Sequence, residues 1–303
     1  MKKIIIDCDP GIDDALALLL AASSDQLDLL AVTTVAGNRP VAITARNARR
    51  ILDAAGKMHV PVYAGAALPL GYAEARCNLV HGEDGLGGVV FGADRSVQTG
   101  HAANRLIELL LEHEEGSITL VAIGPLTNLA LAERLSPGIL KRARQLLIMG
   151  GALRCPGNVT PAAEFNFYAD PVAAEIVITA EASLVLFPLD VTHQVVMSPE
   201  WIQSFSTIDT HCGQLAADML EAYAKLDPLL HDACPVAYLL DSSLFGGESC
   251  AVTIDCRPGP TEGYAMSWFG SQIDGRKENV WAITKVHDEA LLTLVRSSIN
   301  MLS

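Results

Sequence analysis

The feature that most constrains this chain is a repeated alternation of short apolar runs and helix-like segments. Runs at residues 2–7, 27–34, 61–64, 117–123, 145–149 and 184–189 read as strands, and segments 15–23, 42–55, 101–112, 126–135 and 170–180 read as helices. The strand runs are continuously apolar rather than alternating, which is the pattern of strands buried on both faces. The fold class expected is therefore α/β, an open, mostly parallel sheet with helices on both faces. After Pro199 the text becomes mostly helical, with helices expected at 214–225 and 231–240. A few short strands follow near 251–255, 264–269 and 280–285, and a last helix starts at Asp288. No fixed-period repeat, low-complexity tract or linker interrupts the chain, so residues 1–303 are expected to form a single domain. The glycine-rich stretch 79–92 is expected to be a mobile loop, and loops at strand ends often carry function.

Half the residues are apolar and 18% are charged, a composition that excludes a disordered chain. The longest apolar run, 15–22, has eight residues, well short of the ~20 a membrane span needs. Lys2 and Lys3 precede only three isoleucines before Asp7, which is not the form of an export signal. Lys+Arg total 21 against Asp+Glu 35, a net charge of −14, so nucleic acid and anionic membranes are poor partners. The seven cysteines include no CxxC pair, and reduced, mostly buried thiols in a cytoplasmic protein are expected.

The sharpest motif is DCDPGIDD at residues 7–14. Strand alternation puts Asp7 and Asp9 on one side and Cys8 on the other. Pro10-Gly11 makes a turn, and Asp13 and Asp14 open the next helix. Capping and the helix dipole account for two of these carboxylates but not for four. Like charges a few ångströms apart at a buried sheet edge cost on the order of several kcal/mol, so either protons or a cation must share the cluster. Oxygen-only ligands select a hard ion, Ca²⁺ or Mg²⁺, rather than zinc.

In open parallel sheets ligands bind outside the carboxyl ends of the strands. Asn38, Gly124 and Met149-Gly150-Gly151 follow such ends, and Asn158, Glu164 and Asn166 lie just beyond. Each alone reads equally well as a turn or cap residue, but they share one rim. His231-Asp232 opens the helix expected at 231–240. Asp232 is then either a cap or a further metal carboxylate. His231 is either a surface residue or a group titrating near physiological pH. His81 carries the same ambiguity, and Trp268 is expected to be a core residue.

Taken together these motifs resemble the nucleoside hydrolase family, the inosine–uridine-preferring nucleoside N-ribohydrolases. The matching blocks are DCDPGIDD, VTTVAGN (32–38), HGEDGLG (81–87), VAIGPLTNLA (121–130), IMGG (148–151), GNVTPAAEFNFYADPVAAEIV (157–177), LDVTHQ (189–194) and HDACPVAYLL (231–240). The likeness covers residues 2 to about 256 and fades in the last fifth. It implies hydrolysis of a ribonucleoside to ribose and free base with one bound Ca²⁺. It implies Asp9, Asp14, Asp232 and the backbone carbonyl of Ile123 as metal ligands. Asp13, Asn38, Asn158, Glu164 and Asn166 resemble the ribose contacts, and Met149 and Phe165 the apolar neighbours of the sugar. In this chemistry a ribosyl oxocarbenium-like charge develops, which carboxylates stabilise. Asp9 is the candidate base that activates a metal-bound water, His231 assists departure of the nucleobase, and His81 is a candidate contact to it. Relatives are commonly homodimers or homotetramers working in purine and pyrimidine salvage. The chain departs from well-known members at 224–230, a shorter segment without their aromatic residues.

Two other readings compete. An Mg²⁺-dependent phosphohydrolase also opens with a strand ending in DxD, but no clear Ser/Thr and Lys follow at the later strand ends. A nucleoside-binding protein without turnover would keep the ribose site and lose the leaving-group machinery. No GxGxxG follows the first strand, which sets aside a dinucleotide-binding oxidoreductase.

Overall fold

A computed structural model describes residues 1–78 and 80–302. In chain order the elements are β1 (Lys2–Cys8), α1 (Ile12–Ser23), β2 (Leu27–Thr34), α2 (Val41–Ala54), β3 (Val62–Ala64), α3 (Ala102–Glu112), β4 (Ile118–Ala122), α4 (Thr127–Leu135), β5 (Gln145–Met149), α5 (Phe165–Ala169), α6 (Pro171–Ile178) and β6 (Leu184–Phe187). The alternation read from the sequence is thus realised. Then come α7 (Leu189–Thr192), α8 (Pro199–Ser204), α9 (His211–Tyr223), α10 (Ala233–Leu240), β7 (Phe245–Ile254), β8 (Ala265–Phe269), β9 (Val280–Val286) and α11 (Asp288–Asn300).

All the strands join one sheet in the order β3-β2-β1-β4-β5-β6-β9-β7-β8. Pairing is parallel from β3 to β9, and β7 runs antiparallel to both β9 and β8. The winding reverses between β1 and β4, the seam where ligands bind in open α/β sheets. Alternate residues of β1 divide between two cores. Ile4, Ile6 and Cys8 join the core under α1, α2 and α9–α11, while Ile5 joins the one under α3, α4 and α6. Helices therefore cover both faces. α1 is buried from Ile12 to Ala22; from Ala15 onward it is apolar around its whole circumference, while Asp13 and Asp14 are buried polar residues of its first turn.

The carboxyl-terminal part departs from expectation at several boundaries. β7 begins at Phe245, six residues before the strand read at 251–255. Its first half holds Gly246, Gly247 and Glu248, which weaken any strand signal. Gly247 is there for space, since a β-carbon would lie 2.5 Å from the Ala282 carbonyl oxygen on β9. α10 starts at Ala233, not His231. Trp268 is half-buried rather than core, lying on the outer strand β8 with the Arg276 guanidinium 4.3 Å from its ring centre. Cys8, Cys212, Cys234 and Cys250 are buried, Cys155 and Cys256 partly so, and Cys77 is exposed. The loop expected at 79–92 begins on Leu79, which lies outside the described residues; 80–92 contains turns and bends but no helix or strand. No helix among the described residues is long and apolar enough to cross a membrane.

Candidate active site

The chain leaves β1 at Cys8 and turns through Asp9, Pro10 and Gly11 into α1, at the carboxyl edge of the sheet. Asp9 is 1% exposed. Its Oδ2 accepts the Asn38 N–H at 2.6 Å, and its Oδ1 has no partner among the described residues. Two glycines make room for this carboxylate. A β-carbon on Gly37 would lie 2.1 Å from Oδ2, and one on Gly124 would lie 2.4 Å from Oδ1. The loops after β2 and β4 therefore close on Asp9 from two sides.

Asp14 accepts the N–H groups of Gly11 at 2.9 Å and Asp9 at 3.1 Å, so it caps its own helix. Asp13 caps a different one. Its Oδ2 accepts the N–H groups of His231 at 2.8 Å and Asp232 at 3.0 Å, just ahead of α10. This corrects the cap reading of Asp232, whose side chain makes no capping bond. Asp7 turns to the α4 face, where its Oδ1 accepts from the Thr33 hydroxyl and the Asn128 amide.

The opposite wall is built from the segment after β5. Glu164 caps α5, with Oε1 accepting the Asn166 N–H at 2.8 Å and Oε2 accepting that of Gly151 at 2.9 Å. Asn158 Oδ1 accepts the Phe165 N–H at 2.9 Å. Asn166 Nδ2 donates to the carbonyls of Ile123 at 3.0 Å and Met149 at 3.2 Å. These residues line a cavity of about 270 Å³ together with Asp13, Asn38, His81, Phe165, His231 and Asp232. Of the residues assigned from the sequence, only Asp9 and Asp14 do not line it; both are buried behind it.

His231 is buried rather than on the surface. Its Nδ1 meets the Thr192 hydroxyl at 2.7 Å, and its Nε2 lies 3.4 Å from Asp227 Oδ2 without an aligned hydrogen bond. Burial opposes its protonation, but the carboxylates of Asp227, Asp13 and Glu164 outweigh it and hold the pKa above the ordinary imidazole value. His81 accepts the Ile12 N–H at Nδ1 and stacks on Tyr223 with ring centres 5.0 Å apart. Burial pushes its pKa down to about 4.

Sequence reasoning missed several residues of this cavity: Asn78, Tyr223, Asp227 and the apolar Val80, Val159 and Leu226. Asp227 had a signal, being a carboxylate four residues before His231 within the shortened segment. Asn78 and Tyr223 had none beyond their nearness to the motifs.

Burial raises every acid of the cluster. Asp9 and Asp232 are pushed well above the carboxylate range, first by desolvation and then by Asp14 beside each. Asp14 rises to about 7, and Asp13 to about 6 with His231 opposing. Among the described residues no lysine or arginine forms an ion pair with any of these four. Nor do three His, Cys, Asp or Glu side chains among them surround a common centre as metal ligands would; Asp232 is hydrogen-bonded to Asp14 instead. The donor set still fits a hard divalent cation. It consists of acidic oxygens, one of them the unpartnered Asp9 Oδ1 in its glycine cradle, and the one basic group of the described residues facing them is His231, beside Asp13.

Comparison with known proteins shows the family of the chain and its fold. Residues 4–293 match the family model for "Inosine-uridine preferring nucleoside hydrolase", which extends past the point near residue 256 where the motifs fade. The chain is 39% identical over 278 residues to the inosine-uridine preferring nucleoside hydrolase of Crithidia fasciculata, covering 88% of each chain. It is 38% identical over 271 residues to the pyrimidine-specific ribonucleoside hydrolase RihB of Escherichia coli, covering 86% of each. The solved plant nucleoside hydrolase PpNRh1 has the same fold, with a TM-score of 0.91 at 33% identity over 99% of both chains. With sequence and fold matched over nearly its whole length, the chain belongs to the inosine-uridine preferring nucleoside hydrolase family, enzymes that cleave the N-glycosidic bond of ribonucleosides.

Proposed function

We propose that this chain releases ribose and a free base from ribonucleosides in a calcium-dependent reaction centred on Asp9. The observation that carries the reading is the Asp9 carboxylate, buried and cradled by Gly37 and Gly124, with one oxygen unpartnered and Asp14 adding like charge. Asp9, Asp14, Asp232 and the Ile123 carbonyl would hold Ca²⁺, which balances the carboxylates and binds ribose hydroxyl oxygens. Asp9 takes the proton of the attacking water. Asp13, Asn38, Asn158, Glu164 and Asn166 orient the ribose, and Met149 and Phe165 pack on the sugar. The surrounding carboxylates stabilise the positive charge that grows on the ribosyl ring. Thr192 fixes Nδ1 of His231 and leaves Nε2 to pass a proton to the departing base, with Asp227 beside it and His81 at the base end.

Two observations weigh against the alternatives. Among the described residues the cavity is lined by Asp13, Glu164, Asp227 and Asp232 and by no lysine or arginine, which suits a neutral nucleoside and repels a phosphate ester. The short segment 224–230 supplies Asp227 beside His231, so a leaving-group apparatus is available for turnover. By resemblance the reading extends to a cytoplasmic homodimer or homotetramer serving nucleoside salvage, which sedimentation of the purified chain tests in part.

The experiment follows ribose release from inosine and uridine by chelator-treated and calcium-replete protein. Turnover that is lost on chelation and restored by Ca²⁺ is expected. A calcium-replete protein inert toward every common ribonucleoside, or one that cleaves generic phosphate esters instead, overturns the reading.

A further inference from the structure

The Asn38 side chain that faces the acidic cluster is itself held by a second amide. Asn38 Nδ2 donates to the Asp9 carbonyl at 3.2 Å and to Asp14 Oδ2 at 3.1 Å. A flipped Asn38 would set its oxygen against both acceptors, so Oδ1 must point the other way. There it accepts from Asn78 Nδ2 at 2.8 Å. Asn78 is oriented in turn, because its Oδ1 accepts the Val80 N–H at 3.1 Å. The donors run in one direction, from Val80 through Asn78 and Asn38 to Asp9 and Asp14. Both amides line the cavity.

Each amide keeps capacity for a ligand. The bond to Asn38 uses one of the two Nδ2 hydrogens of Asn78, and Asn38 Oδ1 has a second lone pair. Side by side they offer a sugar hydroxyl one donor and one acceptor. We propose that Asn78 is a positioning residue for the ribose, acting through Asn38. The proposal rests on the hydrolase reading above. It makes the loop that begins at Asn78 part of sugar recognition, and it ties that loop to the floor holding Asp9.

Asn78→Asp separates this role from a merely structural one. The variant has the same shape and keeps the oxygen that accepts the Val80 N–H. It replaces the donor facing Asn38 Oδ1 with a second acceptor. If Asn78 served only the local turn, Asn78→Asp would show at most the cost of its added charge, equal on ribonucleosides and deoxynucleosides, while Asn78→Ala would be impaired. The positioning role predicts that both variants lose about 10- to 100-fold in kcat/KM toward ribonucleosides. It also predicts unchanged melting temperatures and a smaller loss on a deoxynucleoside lacking the hydroxyl that Asn38 holds. In an Asn38→Ala background, adding Asn78→Asp should cost little more. Wild-type rates for Asn78→Asp, or an undiminished further loss in the Asn38→Ala background, overturn the proposal. Wild-type turnover is measured in the same series. An inactive wild type sinks the hydrolase reading and this inference with it, whereas an active wild type beside a silent Asn78→Asp sinks the inference alone.

Discussion

Asp9 depends on two residues that have no side chain. Gly37 and Gly124 leave just the space its carboxylate fills, so this carboxylate is positioned by what the neighbouring loops lack. Gly124→Ala would force a β-carbon to within 2.4 Å of Oδ1 and displace the carboxylate. A shift of about 1 Å in a reacting group costs ~10²-fold in rate, and that is the loss in kcat expected here. Asp9→Ala should cost about 10³-fold or more while circular dichroism and melting remain those of a folded protein. If it retains near-normal rates, Asp9 is not the base. His81 offers a separate test, because its pKa falls from 6.5 to about 4 on folding, mainly through burial, with Asp227 opposing and His231 adding to the shift. The folded state binds its proton less readily than the unfolded state does. Above pH 6.5 the group contributes no pH dependence, and as pH falls from 6.5 to 4 the unfolded chain takes the proton first and stability drops. The loss is about 3 kcal/mol across that window. His81→Asn keeps an acceptor for the Ile12 N–H and cannot titrate. Denaturation series at several pH values should show wild type losing that amount relative to the variant, and parallel curves would refute it.

Among the elements, the strap from Leu70 to Asn78 has no regular structure, yet Arg76 ties it down. Arg76 pairs with Glu262 at 2.9 Å and donates to the Tyr168 carbonyl at 2.6 Å. Its guanidinium lies 4.2 Å from the ring centre of Tyr72 and 4.4 Å from that of Tyr168. Tyr168 belongs to α5, which also carries Asn166, so one clasp joins both walls of the cavity. Arg76→Ala leaves the nearly buried Glu262 without its cation, with only the Tyr72 hydroxyl donating to it, and should cost about 2 kcal/mol in denaturant unfolding. Amide exchange of residues 70–81 should quicken, and Arg76→Lys should recover little because an ammonium cannot stack and fork as a guanidinium does. Unchanged exchange and unchanged stability would mean the clasp is idle. None of this was legible in the sequence, since its partners lie far apart and follow no period. β2 and β5, by contrast, were read to the residue, because their runs of apolar and β-branched residues are rich in strand formers. The first half of β7 was hidden by its glycines, and α5 by its brevity, with only the Glu164 cap to mark it. The acidic cluster was readable because three of its carboxylates, Asp9, Asp13 and Asp14, lie within six residues of one another. The direction of Asp13, away from its own helix and onto the start of α10, was not, because that is settled by how α1 and α10 pack.

Across the whole molecule, the site closes a long loop in the chain. Asp9, Asp13 and Asp14 come from the first turn after β1, while His231 and Asp232 come from a segment more than two hundred residues later. Asp13 already bridges the two with neutral backbone donors, but Asp232 meets Asp14 acid to acid, with burial raising both pKa values. The two ends of the fold are therefore joined at a point of electrostatic stress. Covering such a point is what a bound cation does for stability, quite apart from catalysis. A ligand that binds only the folded state adds RT ln(1 + [L]/Kd), about 2.7 kcal/mol at a hundredfold excess over Kd. The melting temperature should thus climb by a few degrees as Ca²⁺ rises from chelated to millimolar, linearly in the logarithm of concentration once the site is saturated. Asp232→Asn should flatten that dependence, because it removes one acid from the late segment and leaves the early ones in place. Protection from amide exchange should rise together in the first turn of α1 and at the start of α10, since one ion would brace both. A melting temperature indifferent to Ca²⁺ over a thousandfold range would mean that protons alone keep these acids together, and the calcium-dependent reading would fail with it.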